Sequence, residues 1–331
     1  MVQRTTVLPS IKSLAFYFIL AMGALFLSGC ASLPASSSPT LATTFTIDGT
    51  AFSLAYSPDG TKLAIGFQEG GIEIWDTESL SRLQTLEGHT EGSIITDLAF
   101  SPDGETLASS GADRMARLWQ VSTGELLHAL DGHGGLVKAV SFSKDGATLA
   151  TASWDTKINL WQVSTGELDQ TYDHYPNSVN DAQFSPNGIT LASVAGNTLG
   201  LWQLSDDTLI GNANGHLGTV KQVLFSSDGE TMITSGDDRT VRLWQASDGT
   251  ALKSLEMGYV PYTIALLPTD NNIIAINNGS NVDFWNLENE EQLYTLRTFT
   301  NSSNYSMVFR PDGQILATIQ SKNTIQLWNL P

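Results

Sequence analysis

Seven tryptophans recur along this chain at nearly constant spacing, and this repeat constrains the fold more than any other feature of the sequence. Consecutive members lie 41 to 44 residues apart. Self-similarity with a period of about 40 residues is typical of chains built from one repeated unit, which buries its apolar face against the next copy. The seven residues are Trp75, Trp119, Trp161, Trp202, Trp244, Trp285 and Trp328.

The second unit shows what one repeat contains. A first apolar run over Ile94–Ser101 leads into the turn Pro102-Asp103-Gly104. Pro presets φ and Gly tolerates positive φ, so this tripeptide reverses the chain between antiparallel strands. Further strand-sized segments follow over Thr106–Ser110, Met115–Gln120 and Leu126–Leu130. Seven such units predict an all-β, seven-bladed β-propeller of four-stranded antiparallel blades.

The two ends of the repeat region complement each other. The last residues stop just after the third strand of the seventh unit, which carries Trp328. The segment Thr43–Thr50 instead aligns with Leu83–Thr90, the fourth strand of the first unit and the loop after it. We therefore expect the N-terminal strand to complete the last blade, which closes the ring and removes exposed sheet edges.

Three units carry a further pattern of four side chains. Each has a Gly-His pair before its first strand, Ser or Thr in its second strand, Asp in the next turn and Trp six residues later. This pattern resembles the structural tetrad of the WD-repeat (WD40) family. The resemblance implies that Asp accepts a hydrogen bond from His, while Ser or Thr and Trp link the loop to two inner strands. The three sets are His89, Ser109, Asp113 and Trp119; His133, Thr151, Asp155 and Trp161; and His216, Thr234, Asp238 and Trp244.

The other four units depart from this tetrad. The fourth unit keeps His174 in its loop, whereas the sixth has Tyr259 at that point. We expect these units to lose part of the hydrogen-bond network and to form the softer side of the ring. In or near the turn that holds the tetrad Asp they have Glu69, Asn197, Ser280 and Asn323.

Residues 1–29 differ in composition from the repeats. Arg4 and Lys12 precede an uninterrupted apolar run over Leu14–Leu27. That run is shorter than the ~20 residues of a spanning helix and suits a secretory signal. It ends in Leu27-Ser28-Gly29-Cys30, which resembles the lipobox of bacterial lipoproteins. The resemblance implies cleavage before Cys30 and a diacylglycerol on its thiol. A plain signal peptide or an anchor helix with a chance cysteine is the alternative.

We therefore predict a lipoprotein signal peptide over residues 1–29, an acylated Cys30 with a Ser/Ala/Pro-rich tether over residues 30–41, and the propeller over residues 42–331. Cys30 is the only cysteine of the chain, so acylation leaves no disulfide and the fold must be held by packing. Ala31 is not an Asp-type retention signal. The resemblance thus favours the outer membrane and leaves open whether the chain faces the periplasm or the cell surface.

Charge and residue types argue against several function classes. The formal net charge of −18 repels nucleic acid and anionic lipid headgroups. No pair of the five histidines has zinc-ligand spacing. The Gly-rich pieces lack the strand–loop–helix setting of a phosphate cradle. We therefore predict no catalytic residues, no metal, no cofactor and no nucleic-acid partner.

The predicted binding surface is the propeller face on which the first strands begin. By resemblance to WD propellers, the residue before each tetrad Asp lies on this face; these residues are Ala112, Trp154 and Asp237. Trp154, the one tryptophan outside the repeat, either contacts a partner or packs against the next blade's loop. A second set lies four residues before the end of each first strand: Phe52, Thr96, Lys138, Asn180, Lys221, Thr263 and Tyr305.

Two features of this face leave alternatives open. Lys138 and Lys221 are rare positive charges, which either make the channel mouth less negative or neutralise nearby acidic loops. Tyr175 and Tyr262 add aromatic residues close to the same face.

The sequence therefore predicts a membrane-tethered protein-interaction scaffold of the bacterial cell envelope, a monomeric ring that binds a protein or peptide and catalyses no reaction. A factor for envelope or outer-membrane assembly is one alternative. An enzyme or cofactor-binding propeller that uses the central channel belongs to a different class, and an adhesion protein is a third possibility.

Overall fold

Antiparallel strands account for the whole regular structure of the computed structural model, which describes residues 38–173, 175–297 and 306–331. Within these ranges the chain forms 28 strands and no helix, arranged as seven four-stranded sheets. The all-β, seven-bladed propeller predicted from the tryptophan repeat is confirmed. The predicted signal peptide and Cys30 lie outside the described residues.

The strands follow the chain blade by blade. Strand β1 is Thr40–Thr46. Blade 1 has β2 (Ala51–Tyr56), β3 (Lys62–Phe67), β4 (Ile72–Asp76) and β5 (Arg82–Leu86). Blade 2 has β6 (Ile95–Phe100), β7 (Thr106–Gly111), β8 (Ala116–Gln120) and β9 (Leu126–Leu130). Blade 3 has β10 (Val137–Phe142), β11 (Thr148–Ser153), β12 (Ile158–Gln162) and β13 (Leu168–Tyr172).

The remaining blades repeat this plan. Blade 4 has β14 (Val179–Phe184), β15 (Thr190–Ala195), β16 (Thr198–Gln203) and β17 (Thr208–Asn214). Blade 5 has β18 (Val220–Phe225), β19 (Thr231–Gly236), β20 (Thr240–Gln245) and β21 (Ala251–Glu256). Blade 6 has β22 (Thr263–Leu266), β23 (Ile273–Asn277), β24 (Asn281–Asn286) and β25 (Glu291–Arg297). Blade 7 has β26 (Met307–Phe309), β27 (Ile315–Ser321) and β28 (Thr324–Asn329).

The first strand of the chain supplies the outer strand of blade 7. β1 pairs antiparallel with β28, so the last sheet has the order β1-β28-β27-β26. The expected ring closure by the N-terminal strand is thereby confirmed. β1 begins at Thr40, two residues before the expected boundary, because Thr40 and Leu41 already pair with Asn329 and Trp328.

Apolar side chains fill the spaces between neighbouring blades. Ile72 and Ile74 of blade 1 pack in one cluster with Ile95 and Leu107 of blade 2. All four are fully buried. Burial of such a side chain contributes roughly 1.5–3 kcal/mol, so each contact between blades stabilises the ring. A strand sandwiched in this way is apolar on both faces, which explains the near-continuous apolar runs of the inner strands.

Candidate functional site

A hydrogen-bonded chain of four side chains anchors the loop that precedes blade 3. His133 Nδ1 lies 2.9 Å from Asp155 Oδ2, and His133 Nε2 lies 2.7 Å from the Thr151 hydroxyl. The Trp161 indole donates to the same hydroxyl at 2.9 Å. The backbone N–H of Gly134 adds a 2.8 Å bond to Asp155. The chain thus joins the loop to β11 and β12.

Blades 2 and 5 contain the same arrangement. His89 lies 3.0 Å from Asp113 and 2.8 Å from Ser109 Oγ, which accepts a 2.8 Å bond from the Trp119 indole. In blade 5 the corresponding distances are 3.0, 2.7 and 2.8 Å, and they join His216, Asp238, Thr234 and Trp244. Both histidines are buried, so their ring nitrogens need these partners.

The histidine of each set is neutral near pH 7 and its aspartate is ionised. Burial lowers the pKa of His133, although the hydrogen bond to Asp155 acts in the opposite direction. Burial acts to raise the pKa of Asp155, but the hydrogen bonds from His133 and Gly134 outweigh it and lower that pKa. His133 therefore donates through Nδ1 and accepts through Nε2. With its polar atoms committed to one another, the set supports the loop and offers no reactive nucleophile.

Bulges in the innermost strands determine which residues face the central channel. In β2, β6, β10, β14 and β18 the pairing register shifts across the second residue of the strand. A bulge bends a strand and re-aims a side chain, so two successive residues face the channel instead of one. The bulged residues are Phe52, Thr96, Lys138, Asn180 and Lys221.

These residues surround a cavity of about 510 Å³ where the inner strands begin. Six of the seven residues predicted four positions before the strand ends line it: Phe52, Thr96, Lys138, Asn180, Lys221 and Thr263. The seventh, Tyr305, lies outside the described residues. In five blades the residue that follows the bulged residue also lines the cavity; these residues are Ser53, Asp97, Ala139, Asp181 and Gln222. A volume of this size accommodates a small ligand or the side chains of a bound peptide.

Comparison with known proteins gives a family for this architecture. The repeat family WD40, described as "WD domain, G-beta repeat", matches residues 80–120, 124–162, 166–203 and 207–245. The chain carries WD40 repeats. Each matched segment begins with the outer strand of one blade and ends with the third strand of the next, so one sequence repeat interlocks two blades. The repeats and the seven-bladed ring together support membership of the WD40 β-propeller family.

Several curated proteins match part of the chain. Small ribosomal subunit protein RACK1 of Drosophila melanogaster is 28% identical over 40% of this chain and 44% of its own length. Target of rapamycin complex subunit LST8 of Saccharomyces cerevisiae is 23% identical over 37% and 40%. Serine-threonine kinase receptor-associated protein of Gallus gallus is 35% identical over 24% and 22%. The alignments thus span less than half of each of these relatives.

Trp154 lies at the channel mouth of the propeller. Its side chain is 50% exposed and lines the cavity. Its backbone N–H donates to Leu136 O at 2.9 Å, and Ser178 Oγ donates to its carbonyl at 3.3 Å. The two hydrogen bonds hold the backbone while the indole remains available. Of the two interpretations of Trp154 left open by the sequence, this geometry favours the exposed contact residue.

Both lysines at the mouth lie beside aromatic rings and carboxylates. Lys138 Nζ is 5.8 Å from the centre of the Phe52 ring, and Lys221 Nζ is 5.6 Å from that of Tyr262. Lys221 also pairs with Asp237 Oδ1 at 2.8 Å. Burial lowers the pKa of Lys138, a change that the charges of Asp97 and Asp181 oppose. The two lysines therefore line the cavity, and they also offset the negative charge of nearby carboxylates.

Tyr175 does not lie where the sequence suggested. We expected it to add aromatic surface to the binding face and expected His174 to fill the histidine position of blade 4. Instead the Tyr175 hydroxyl lies 2.5 Å from Ser193 Oγ and accepts a 2.5 Å bond from the Trp202 indole. Tyrosine thus takes the place that histidine holds in the complete sets. His174 lies outside the described residues.

Other irregular blades also contain substitute networks. In blade 1 the Trp75 indole donates to Glu73 Oε2 at 2.8 Å, and Arg82 forms an ion pair with the same carboxylate. In blade 7 the Trp328 indole donates to Thr318 Oγ1 at 3.0 Å. Blade 7 thus keeps the Thr–Trp bond of the tetrad, whereas in blade 1 the expected loss of hydrogen bonds is offset by Glu73 and Arg82, which have no counterpart in the WD40 pattern.

Two carboxylates that sequence reasoning missed, the partly buried Asp97 and the buried Asp181, join neighbouring inner strands. Asp97 Oδ2 accepts from Val140 N and Asp181 Oδ2 from Val223 N, each at 3.0 Å. Gln222 Oε1 plays the same part toward Ile264 N at 2.9 Å. Each acceptor directly follows a bulged or equivalent position, and each amide belongs to the next blade. The sequence did contain a signal for these acceptors, because each directly follows one of the residues predicted to lie four positions before the end of a first strand.

Burial determines the protonation of these two carboxylates. It raises the pKa of Asp97 to about 6 and that of Asp181 to about 7, although the backbone N–H donors act to lower both values. The charge of Asp97 raises the pKa of Asp181 further. Both groups therefore exchange protons between about pH 5 and 8 and are coupled through the channel.

Two other kinds of site are absent from the described residues. Within the part of the chain that the structure describes, no group of three or more His, Cys, Asp and Glu side chains is arranged to hold a metal ion. Over the same residues, no helix has the length and apolar character required to cross a bilayer.

Proposed function

We propose that this WD40 propeller is a non-catalytic protein-interaction scaffold whose partner binds at the channel mouth. The observation that carries the proposal is the convergence of exposed Trp154 with Lys138 and Lys221 on one cavity. A large aromatic side chain on a rigid backbone, with charged neighbours, has the composition of an interaction hot spot. Loops placed by a rigid scaffold commonly carry binding residues.

The names of two relatives support the scaffold function. One is a small ribosomal subunit protein, and the other is a subunit of the target of rapamycin complex. Each name describes a component of a larger assembly. Because a shared fold does not by itself establish a shared function, the proposal for this chain depends on the residues at the channel mouth.

We further propose that the chain is anchored by a lipid on Cys30 in the bacterial cell envelope, at the outer membrane. The support is the resemblance of residues 27–30 to a lipobox after a charged and then apolar leader. The Ser/Ala/Pro-rich segment that precedes β1, up to residue 39, would act as an extended tether between lipid and propeller.

The partner proposal predicts that a Trp154→Ala/Lys138→Glu/Lys221→Glu variant loses the proteins that the unmodified chain retains from bacterial envelopes. Loss of a hot-spot aromatic costs about 2 kcal/mol or more, so retention should fall at least tenfold. The measurement is affinity capture followed by quantitative mass spectrometry, with equal folding of the two baits established by thermal melting.

A matched control replaces two lysines on the opposite propeller face, which carries the turns between the first and second strands of the blades. The control variant Lys62→Glu/Lys144→Glu, with the same change in charge, should capture the same proteins as the unmodified chain. If the triple variant retains those proteins as well, the channel mouth is not the binding face. Capture of no discrete protein by the unmodified chain would contradict the scaffold function itself.

The anchor proposal predicts that Cys30→Ala moves the chain from the membrane fraction to the soluble fraction of a bacterial host with lipoprotein processing. Two or three acyl chains anchor a protein stably, and the variant has no thiol to carry them. Sedimentation of membranes measures the distribution, and the mass of the N-terminal peptide reports acylation. Ser28→Ala, which leaves the thiol in place, is the control. An unmodified Cys30, or equal membrane association of both variants, would contradict the anchor.

A further inference from the structure

The channel mouth combines two convergent ammonium groups with an otherwise acidic protein. Lys138 and Lys221 come from blades 3 and 5, on either side of Asn180 in blade 4, and all three line the same cavity. Burial is the largest effect on the pKa of Lys138 and lowers it, whereas the charges of Asp97 and Asp181 act to raise it. The charge of Lys221 also acts to lower this pKa. Two like charges that affect each other in this way are relieved by an anion placed between them.

The carboxylates of the cavity are already engaged. Asp97 Oδ1 and Oδ2 accept from Leu98 N at 2.9 Å and Val140 N at 3.0 Å. Asp181 Oδ2 accepts from Val223 N at 3.0 Å. The bonds from Val140 and Val223 join blades, so the two groups are components of the ring and poorly suited to bind an incoming cation. The rim, formed by the bulged residues, carries the lysines.

The surroundings of the lysines provide an apolar platform. Trp154 exposes half of its surface at the rim, and the Phe52 and Tyr262 rings lie under the ammonium groups. The formal charge of the whole chain is −18, and Lys138 and Lys221 are the two basic residues that line this cavity, beside the carboxylates Asp97 and Asp181. This complementarity favours a partner segment with one acidic and one large apolar side chain.

We propose that the channel mouth binds a peptide segment through a carboxylate side chain, which lies between the Lys138 and Lys221 ammonium groups while an adjacent apolar side chain packs on Trp154. This inference rests on the proposed interaction function and specifies the chemistry of the partner. Asp237, which pairs with Lys221, is the internal carboxylate that the ligand would supplement or displace.

The test is selection of a random seven-residue peptide library, displayed on phage, against the full chain. We expect the selected peptides to be enriched in Asp or Glu next to a large apolar residue. A synthetic peptide with the consensus sequence should lose roughly tenfold to a hundredfold in affinity when its acidic residue becomes Gln or Asn. Lys138→Gln/Lys221→Gln should cause a loss of the same size. The binding should also weaken with salt.

Lys62→Gln/Lys144→Gln, which removes equal charge from the opposite face, should leave the affinity unchanged, and thermal melting shows whether each variant is folded. Selected peptides that are neutral or basic and yet depend on Trp154 would overturn the carboxylate assignment while leaving the interaction face intact. Acidic peptides that bind equally to the Lys138/Lys221 variant would also overturn it. Failure to select any peptide would overturn it too, whereas the capture experiment reports separately on the scaffold function.

Discussion

Replacing Asp155 with alanine should lower the free energy of unfolding by about 3–5 kcal/mol, because it breaks a buried, charge-assisted network. Asp155 accepts from His133 Nδ1 and from the backbone N–H groups of Gly134 and Lys157. Its loss leaves a donor on a buried histidine without a partner. Urea unfolding monitored by tryptophan fluorescence measures the change.

Two variants test whether the network is the cause. Asp131→Ala removes an exposed carboxylate from the same loop and should change stability by less than about 0.5 kcal/mol. Asp155→Asn retains an acceptor oxygen and loses the charge, so its effect should lie between the two. If Asp155→Ala and Asp131→Ala destabilise equally, the set of side chains does not hold the blade.

The free energy of unfolding of the double variant Asp97→Asn/Asp181→Asn, relative to that of the unmodified chain, should increase as the pH rises from 5 to 8. Asparagine offers an oxygen to the same backbone amides but carries no charge. Each unit of pKa shift corresponds to about 1.4 kcal/mol, so the difference gained over this range should be on the order of 4 kcal/mol. Urea unfolding of both proteins at several pH values gives the difference directly.

The sign follows from proton binding. Both carboxyl groups have folded-state pKa values of about 6 and about 7, above the ordinary 3.8. Between about pH 4 and 8 the folded chain therefore binds more protons at these groups than the unfolded chain. Their contribution to stability falls as the pH rises through this window and is constant above it. Groups common to both proteins cancel in the comparison.

A control with the same charge change uses exposed carboxylates. Asp103 and Asp145 lie in the turns between the first and second strands of blades 2 and 3. Hydrogen bonds from Ser101 and Ser143 lower their pKa values. Asp103→Asn/Asp145→Asn should therefore show no change in relative stability between pH 5 and 8. Parallel stability curves for the channel variant and the unmodified chain would show that Asp97 and Asp181 are ionised throughout.

The two effects concern different parts of the ring. The network around Asp155 lies within a blade, between its loop and its second and third strands. Asp97 and Asp181 instead connect the inner strands of successive blades, where the ring must remain closed around its channel. A ligand carboxylate at the mouth would add charge close to these groups, so its binding should also shift their protonation.

The architecture could be predicted because its signals are local and repeated. A Pro-Asp-Gly turn reverses the chain wherever it occurs, and Gly60, Gly104 and Gly313 all adopt positive φ values of 71 to 74°. The tryptophan period then counts the blades without reference to their packing. Thr43–Thr50 could be assigned to the last blade by alignment alone, since strand pairing there follows the same alternation as elsewhere.

The details of the site depended on contacts between residues far apart in the chain. Tyr175 replaces a histidine because its longer side chain reaches Ser193 and Trp202, which single-residue matching to a motif does not reveal. Asp97 and Asp181 look like ordinary polar strand residues in the sequence. A bulge precedes each of them and turns it toward the channel, where an amide of the next blade supplies its hydrogen-bond partner.

The sequence by itself thus determined the number of blades, the turns, the closing strand and the residues at the mouth, because each depends on a short repeating pattern of turn and strand residues. Only the tertiary structure decided which of those residues converge, which carboxylates are buried and which aromatic side chain is exposed. Register, bulges and packing between blades control these properties, and they arise from side chains about 40 residues apart that meet across the ring.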